Sequence, residues 1–567
     1  MPKAIKLQHW TALLLSLAGL VTIQYVLGRT DWDGTFAVEP QIPFFLTYGC
    51  LFILYLYLVS QKWQQKEVQW LSYLGIAFRA ALIFSIPNYS DDFYRFLWDG
   101  YLAMNGGDLL EFLPSEFNLE PGSFYSELYP NLNSKDYYTV YPPVLQFFFS
   151  IATYIGRGDL FTTMLVLKVI IVIVDALVIY ILHRLLLKFG KPVRWALIYA
   201  LNPLVILELS GNIHFEGVML LFSLIALWVL ANPKGEWGYL RAAVPIAVAI
   251  GAKLLPVLFF PYLIRRLGWV KAILLGLLSG VLVVGLFWLT FSPEFIDHYR
   301  ESIRLYFKTF EFNANFYYLG RWALGEKGYW VNRILPYVSM GLILLLALRQ
   351  RTKVWSSLPL QMLMVLSIYQ LLQPVIHPWY ITTLVGFAAL TRYRFPVVWT
   401  IFLPLTYLTY TNADYHTPLW VLWSEYIILY LYIFFEVQFR AGARTLEDWV
   451  REKPFLKSFF RRSIPARMKI KLDRIAAYLK PGDRVLDIGT GNGGLCRELR
   501  GRGYEVQPVD VKDISFFEDV KPLIYDGRKL PFQDGEFPVT MLITVLHHIP
   551  EPELVLDEAV LSHRALS

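Results

Sequence analysis

Two adjacent carboxylates, Asp91 and Asp92, stand between an apolar stretch and an aromatic run: Asn88-Tyr89-Ser90-Asp91-Asp92-Phe93-Tyr94-Arg95-Phe96-Leu97-Trp98-Asp99-Gly100. A carboxylate placed there can take the proton of an acceptor hydroxyl, which sugar transfer needs because a neutral hydroxyl attacks an anomeric carbon poorly. Arg95 follows Asp92 by three residues, so a continuing helix would set both on one face, and its guanidinium could grip a phosphate bidentately. An interfacial ion pair that anchors a loop is the plainer alternative. His214, Lys253 and His377 fall at the ends of other apolar stretches and are candidates to face a lipid phosphate, against the ordinary role of an interfacial histidine as a hydrogen-bonded cap.

A second set of residues lies near the C-terminus. Residues 484–494 read as a strand running into a glycine-rich turn and a helix, with Gly489, Gly491 and Gly493 allowing the backbone close to a nucleoside. Residues 504–509 read as a second strand ending in Asp510, placed to bond ribose hydroxyls. Asp526 follows a third strand, and residues 538–544 form a fourth that leads into Val545-Leu546-His547-His548-Ile549-Pro550. The two cysteines, Cys50 and Cys496, make neither a disulfide framework nor a metal-thiolate site.

The elements that must carry these groups are mostly apolar. With 567 residues, 56% hydrophobic and 17% charged, the chain reads as a multi-pass protein of the cell membrane with soluble appendages. Stretches near 10–28, 43–60, 70–87, 161–182, 193–209, 214–231, 270–291, 332–348, 355–372 and 419–437 can cross roughly 30 Å of hydrocarbon. Shorter ones lie at 142–157, 379–391 and 395–410. The formal charge of +7 comes largely from short basic loops (Lys62 and Lys66; Arg184, Lys188, Lys191 and Arg194; Arg265 and Arg266; Arg349 and Arg351; Arg392 and Arg394), which argues for orientation in a membrane and against a nucleic-acid partner. These loops put both the N-terminus and the C-terminal domain inside. Residues 88–141, 210–214, 292–331 and 373–379 then lie outside.

Parity requires that either 142–157 or 161–182 fails to span, and the shorter is the choice. Residues 240–264, with Gly251, Lys253 and Pro256, are expected to form a broken hairpin. Arg79, Lys168 and Asp175 lie mid-span and read as buried structural pairs, Lys168 and Asp175 sharing one helical face. Residues 299–308 fit an interfacial helix. Residues 440–471 hold ten Lys or Arg against three acids, interleaved with Trp449, Phe455, Phe459 and Phe460. That pattern suggests an amphipathic linker on an anionic leaflet, with calmodulin-like or nucleic-acid binding as alternatives. The expected domains are 1–437, the linker 438–480 and an α/β domain at 481–567.

The string Asp91 to Gly100, followed by Tyr141-Pro142-Pro143, Asn202-Pro203-Leu204, Gly211-Asn212-Ile213-His214-Phe215-Glu216, Lys253-Leu254-Leu255-Pro256, Phe312-Asn313-Ala314 and His377-Pro378-Trp379-Tyr380, carries a resemblance. Over about residues 1–437 the chain resembles bacterial mannosyltransferase-like proteins of the C-type glycosyltransferase fold. The resemblance implies an α-helical fold of about 11–14 membrane segments, a polyprenyl-phosphate sugar donor, commonly of mannose, an extracytoplasmic acceptor, and inversion at the anomeric carbon. It makes Asp92 the base, with Asp91 as runner-up or as a metal or acceptor contact, and leaves metal dependence open. Arg95, His214, Lys253 and His377 are the expected donor-phosphate contacts. Departures at Gly107-Asp108-Leu109, Ser134 and Glu216, where relatives show Asn-Pro-Tyr, His and Asp, bear on the acceptor. A transporter or flippase for a lipid-linked sugar is the rival class.

The series Asp487, Gly489, Gly491, Gly493, then Asp510 and Leu546-His547-His548-Ile549, resembles class I S-adenosylmethionine-dependent methyltransferases. This implies a Rossmann-like domain in which Asp487 and the glycines contact the methionine part of the cofactor, Asp510 the ribose and Asp526 the adenine. A dinucleotide-binding dehydrogenase is the alternative for the motif. Residues 481–567 amount to about half of such a domain, so a partial sheet and weak or no cofactor binding are expected. A methyltransferase merely anchored by the membrane part is a further alternative.

Overall fold

The computed structural model describes residues 6–27, 42–291, 296–298, 300–302, 311–325, 329–350, 352–411, 417–440, 453–543, 545–546 and 552–562. Arg351, Trp449, His547, His548 and most of the expected interfacial helix at 299–308 lie outside the described residues. The chain divides into two compact units, Met1–Glu436 and Val437–Ser567.

The described part of the first unit is built almost wholly of helices. Among the described residues, five helices are long and apolar enough to cross a membrane: Leu7–Val26, Ile42–Ser60, Leu160–Lys188, Trp269–Thr290 and Leu419–Phe439. A sixth crossing results if Val193–Ala200 and Pro203–Gly211, bent by 51°, count as one. Shorter apolar helices are Pro143–Gly156, Glu216–Ala231, Gly238–Ala252 and Phe395–Thr409. The lower number of long helices has local causes. Pro203 removes a backbone donor at the bend, and the Asn202 side chain caps the new helix by accepting from Val205 N–H at 3.2 Å. Residues 355–372 yield only Leu358–Leu371 as α-helix, and residues 70–87 belong to a helix, Gln65–Ala80, that stops well before Pro87. The 14-residue helix Pro143–Gly156 is about 21 Å long, short of the hydrocarbon thickness. The helix ending at Ala252 breaks at Lys253, whose backbone is extended, and a 3-10 turn, Leu255–Phe259, resumes around Pro256.

The mid-span charges resolve into two separate arrangements. Arg79 and Asp175, both fully buried, pair at 2.5 Å, and Arg79 also donates to the carbonyls of Gly75 and Ala200. Tyr199 donates its hydroxyl to the other Asp175 oxygen at 2.8 Å. Lys168 donates instead to Leu82 O and Ser85 Oγ at 3.0 and 2.7 Å. Lys168 and Asp175, though on one helix face, therefore each tie the long helix Leu160–Lys188 to segment 79–85 or its neighbours.

Among its described residues the second unit contains four parallel strands, β1 Arg484–Ile488, β2 Glu505–Asp510, β3 Leu523–Ile524 and β4 Val539–Met541, in the order β3-β2-β1-β4. Alternation along β1 sends Val485 to one face and Leu486 and Ile488 to the other. Helix Pro454–Ile475 covers the first face, placing Ile464 and Leu472 beside Val485, Leu495, Leu499 and Val506. Helix Pro552–Ser562 covers the second with Val555 and Ala559. The basic stretch expected as a linker up to residue 480 is thus, from Pro454 onward, part of the α/β core. Its apolar residues are needed for packing, which the dense lysines and arginines conceal in the sequence.

Candidate functional site

Helix Asp92–Met104 follows the polar turn after helix Gln65–Ala80, with Asp91 at its N-cap position. Both carboxylates sit where the helix terminus favours negative charge. Asn133 Nδ2 bridges them, donating to Asp91 Oδ1 at 2.7 Å and Asp92 Oδ1 at 3.0 Å. Asp92 keeps some exposed surface, yet burial of its carboxyl, reinforced by the charge of Asp91, pushes its pKa up to about 7. The Asn133 hydrogen bond and Lys253 pull against that rise, while Glu216 adds to it. A carboxylate so poised can accept a proton near neutral pH.

Lys253 sits at the helix break, where its Nζ lies 2.8 Å from Glu216 Oε1 and 3.8 Å from the centroid of the Tyr380 ring. Its side chain remains 28% exposed, so the ammonium is oriented without being sealed off. Beside it, Trp379 stacks on both histidines: on His214 at 3.8 Å and 12° between planes, and on His377 at 4.2 Å and 4°. Phe312 stacks on His377 in turn, and its segment is pinned to residues 374–376 by two backbone hydrogen bonds. Ile213, immediately before His214, adopts φ +61°. A β-branched residue rarely accepts that conformation, and here it falls between two anchored neighbours. Asn212 Oδ1 accepts from the backbone N–H groups of Asn88 and Tyr89, and His214 enters the stack. Burial, with Lys253 nearby, drops the pKa of His377 to about 3 and lowers that of His214, to which His377 also contributes. Both imidazoles are neutral at pH 7. Lys253 brings a positive charge to this cluster, opposed by the Glu216 carboxylate.

Arg95 has a different setting from the one expected. It is 4% exposed, paired with Asp99 at 2.7 Å, and donates to Ser134 O, Ser134 Oγ and Tyr137 O. Asp99 in turn accepts from Thr139 Oγ1 and Gln146 Nε2. Arg95 therefore fastens the 134–137 loop to its helix through Nε and Nη1. Asp92, His214, Lys253 and His377 do come together. Asn133 was not foreseen; its neighbour Ser134 stood out only as a departure from relatives. The Glu216 partnership with Lys253 joins positions 37 residues apart and has no local signature.

In the second unit, Gly489, Gly491 and Gly493 all have positive φ, at 76°, 59° and 76°. A Cβ at Gly489 would lie 2.3 Å from Val545 Cγ2, and one at Gly493 2.5 Å from Ser515 Oγ. At Gly491 the nearest atom would be 3.8 Å away, so the turn is open there. Asp510 Oδ2 accepts from Gly491 N–H at 2.8 Å, which fixes the acid beside the turn. Among the described residues Asp487 Oδ2 is buried without a hydrogen-bond partner, and burial, with the charge of Asp510 adding to it, pushes that carboxyl up to about 7. An unsatisfied acceptor next to an open glycine turn fits a nucleoside cofactor with a cationic amino-acid tail. Asp526 is exposed and accepts from the N–H groups of Arg528 and Lys529, capping its own turn.

Residues 26–299, which include Asp91, Asp92, His214 and Lys253, match the family described as alpha-(1->6)-mannopyranosyltransferase, N-terminal domain. Residues 460–561 match a methyltransferase domain, a range that includes most of helix Pro454–Ile475. The chain is 30% identical over 102 residues to 27-O-demethylrifamycin SV methyltransferase of Amycolatopsis mediterranei, covering 15% of this chain and 38% of that protein's length. No solved structure matches the chain. The protein joins a mannosyltransferase-family domain rich in apolar helices to a methyltransferase domain.

Proposed function

We propose that residues 1–437 transfer a hexose, mannose by family, from a polyprenyl-phosphate donor to an acceptor hydroxyl on the outer face of the cell membrane. The observation that carries this reading is the pairing of a carboxylate poised near neutrality, Asp92, with an oriented, partly exposed ammonium, Lys253, in one cluster. Asp92 takes the acceptor proton as the acceptor oxygen bonds to the anomeric carbon. The bond from that carbon to the phosphate oxygen breaks, and Lys253 stabilises the departing polyprenyl phosphate. Asp91 and Asn133 hold the base and tune it. His214 and His377, neutral, serve as hydrogen-bonding groups and aromatic walls rather than as charges. Lys253, already set against the Glu216 carboxylate, offers only modest counter-charge, which suits a donor linked through one phosphodiester better than a nucleotide diphosphate.

The second unit is assigned S-adenosylmethionine, held by Asp487, the 489–493 turn and Asp510, with Asp526 at the adenine edge. The bound cofactor would supply an electrophilic methyl group. The chain's contribution is to bind and orient it, with Asp487 offering the spare buried acceptor. Full-length protein in proteoliposomes, given radiolabelled polyprenyl-phosphate mannose or a nucleotide-linked mannose, tests the first assignment. Label should pass from the lipid-linked sugar alone; transfer from the nucleotide sugar alone would refute the donor class.

A further inference from the structure

The methyltransferase match and the core packing leave one surface of the second unit without a role. Helix Pro454–Ile475 buries Ile464 and Leu472, yet Phe455 is 81% and Phe459 59% exposed. Four residues apart, the two rings share one face of the helix. The helix cannot roll to hide them without withdrawing Ile464 and Leu472 from the core. Its sequence carries seven lysines and arginines against one acid, Asp473. Beside the aromatic pair, Ser458, Arg461, Arg462, Pro465, Arg497 and Glu498 line a cleft of about 490 Å³. An exposed aromatic pair next to a basic cleft roomy enough for a lipid headgroup is the chemistry of a surface that meets anionic lipid. Sequence continuity points to the same occupant. Only residues 440–453 separate Pro454 from Leu419–Phe439, a helix apolar and long enough to span a membrane. A tether of that length keeps the basic helix within reach of the bilayer.

We infer that helix Pro454–Ile475 docks the methyltransferase domain on an anionic lipid bilayer, Phe455 and Phe459 entering the headgroup boundary and Arg461, Arg462 and Arg497 receiving lipid phosphates. The docking holds the domain against the surface on which a lipid-borne methyl acceptor would be presented, whereas the tether alone would only keep it nearby.

The test uses the full chain in vesicles. Phe459→Cys is introduced in a Cys50→Ser background, Cys496 being buried, and labelled with an environment-sensitive fluorophore. Val560→Cys, on the opposite helix of the domain and 72% exposed, is the control. In phosphatidylcholine vesicles containing phosphatidylglycerol, the label at 459 should be quenched by lipid-borne nitroxide several-fold more than in phosphatidylcholine alone, and high salt should reverse the gain. The label at 560 should stay open to aqueous iodide throughout. Equal iodide access at 459 and 560 would overturn the proposal. So would lipid quenching indifferent to anionic lipid, which would owe nothing to the basic residues, and so would protection at 459 that follows protein density, which would mean a second copy covers the face.

Discussion

Replacing Lys253 by methionine keeps the length of the side chain and removes its charge, and the surroundings of Nζ set two separable consequences. A unit charge about 4 Å from a phosphate oxygen is worth about 4 kcal/mol at an effective dielectric of 20. The 28% exposure of the side chain and competition from Glu216 reduce that to about 2–3 kcal/mol, a loss of roughly 30- to 200-fold in kcat/KM. The second consequence is on the base. Lys253 holds the Asp92 carboxyl down and Glu216 holds it up. With only the acid left, Asp92 should titrate above about 7, and the acid limb of the pH–rate profile should move to higher pH. Adding Glu216→Gln removes the like charge that Lys253 had opposed, Asp91 remaining in place, and should return the limb toward about 7, while the donor KM stays raised because the phosphate still lacks its cation. Steady-state transfer from polyprenyl-phosphate mannose, measured across pH for wild type, Lys253→Met and the double variant, separates the two effects. A Lys253→Met protein with kcat/KM within about threefold of wild type, a change smaller than about 1 kcal/mol, would refute the phosphate role.

The base can be tuned in both directions. Asp91→Asn removes the like charge that raises Asp92 and should shift the acid limb down, whereas Asn133→Leu removes a stabilising hydrogen bond and should shift it up; equal shifts in one direction would contradict the arrangement. In the second unit, Gly489→Ala drives a Cβ into Val545 and should abolish whatever S-adenosylmethionine binding the full chain shows by equilibrium dialysis, while Gly491→Ala, strained only in φ, should weaken it by roughly 1 kcal/mol. Sidedness follows from the basic loops: a reporter fused after Trp330 should be active only outside and one fused after Arg440 only inside. Both reporting from one side would remove the outer-face assignment.

The glycine turn was legible from sequence because strand, turn and acid lie within 27 residues and each is dictated locally: positive φ at Gly489, Gly491 and Gly493, and Asp510 at the strand end. Asp92 and Lys253 were legible as candidates because each marks a break in an apolar stretch, where a charge has to be explained. The partners of Arg95 were not legible because they depend on the path of the loop: Ser134 and Tyr137 lie about 40 residues on, and no helical spacing anticipates them. The same holds for Lys168, whose carbonyl and hydroxyl partners come from the turn that follows helix Gln65–Ala80. The helix at Pro454 was hidden for the opposite reason. Its few buried apolar residues, Ile464 and Leu472, are diluted by charges that serve its outward face.

Asp92→Asn tests the central assignment most directly, since it preserves shape and leaves a hydrogen-bonding oxygen toward Asn133 while removing the base. Transfer from polyprenyl-phosphate mannose should fall at least ~10²-fold, the scale of a lost general base, with membrane insertion and expression unchanged. Near-normal turnover by the Asp92→Asn protein would show that another group accepts the proton and would take Asp92 out of the reaction.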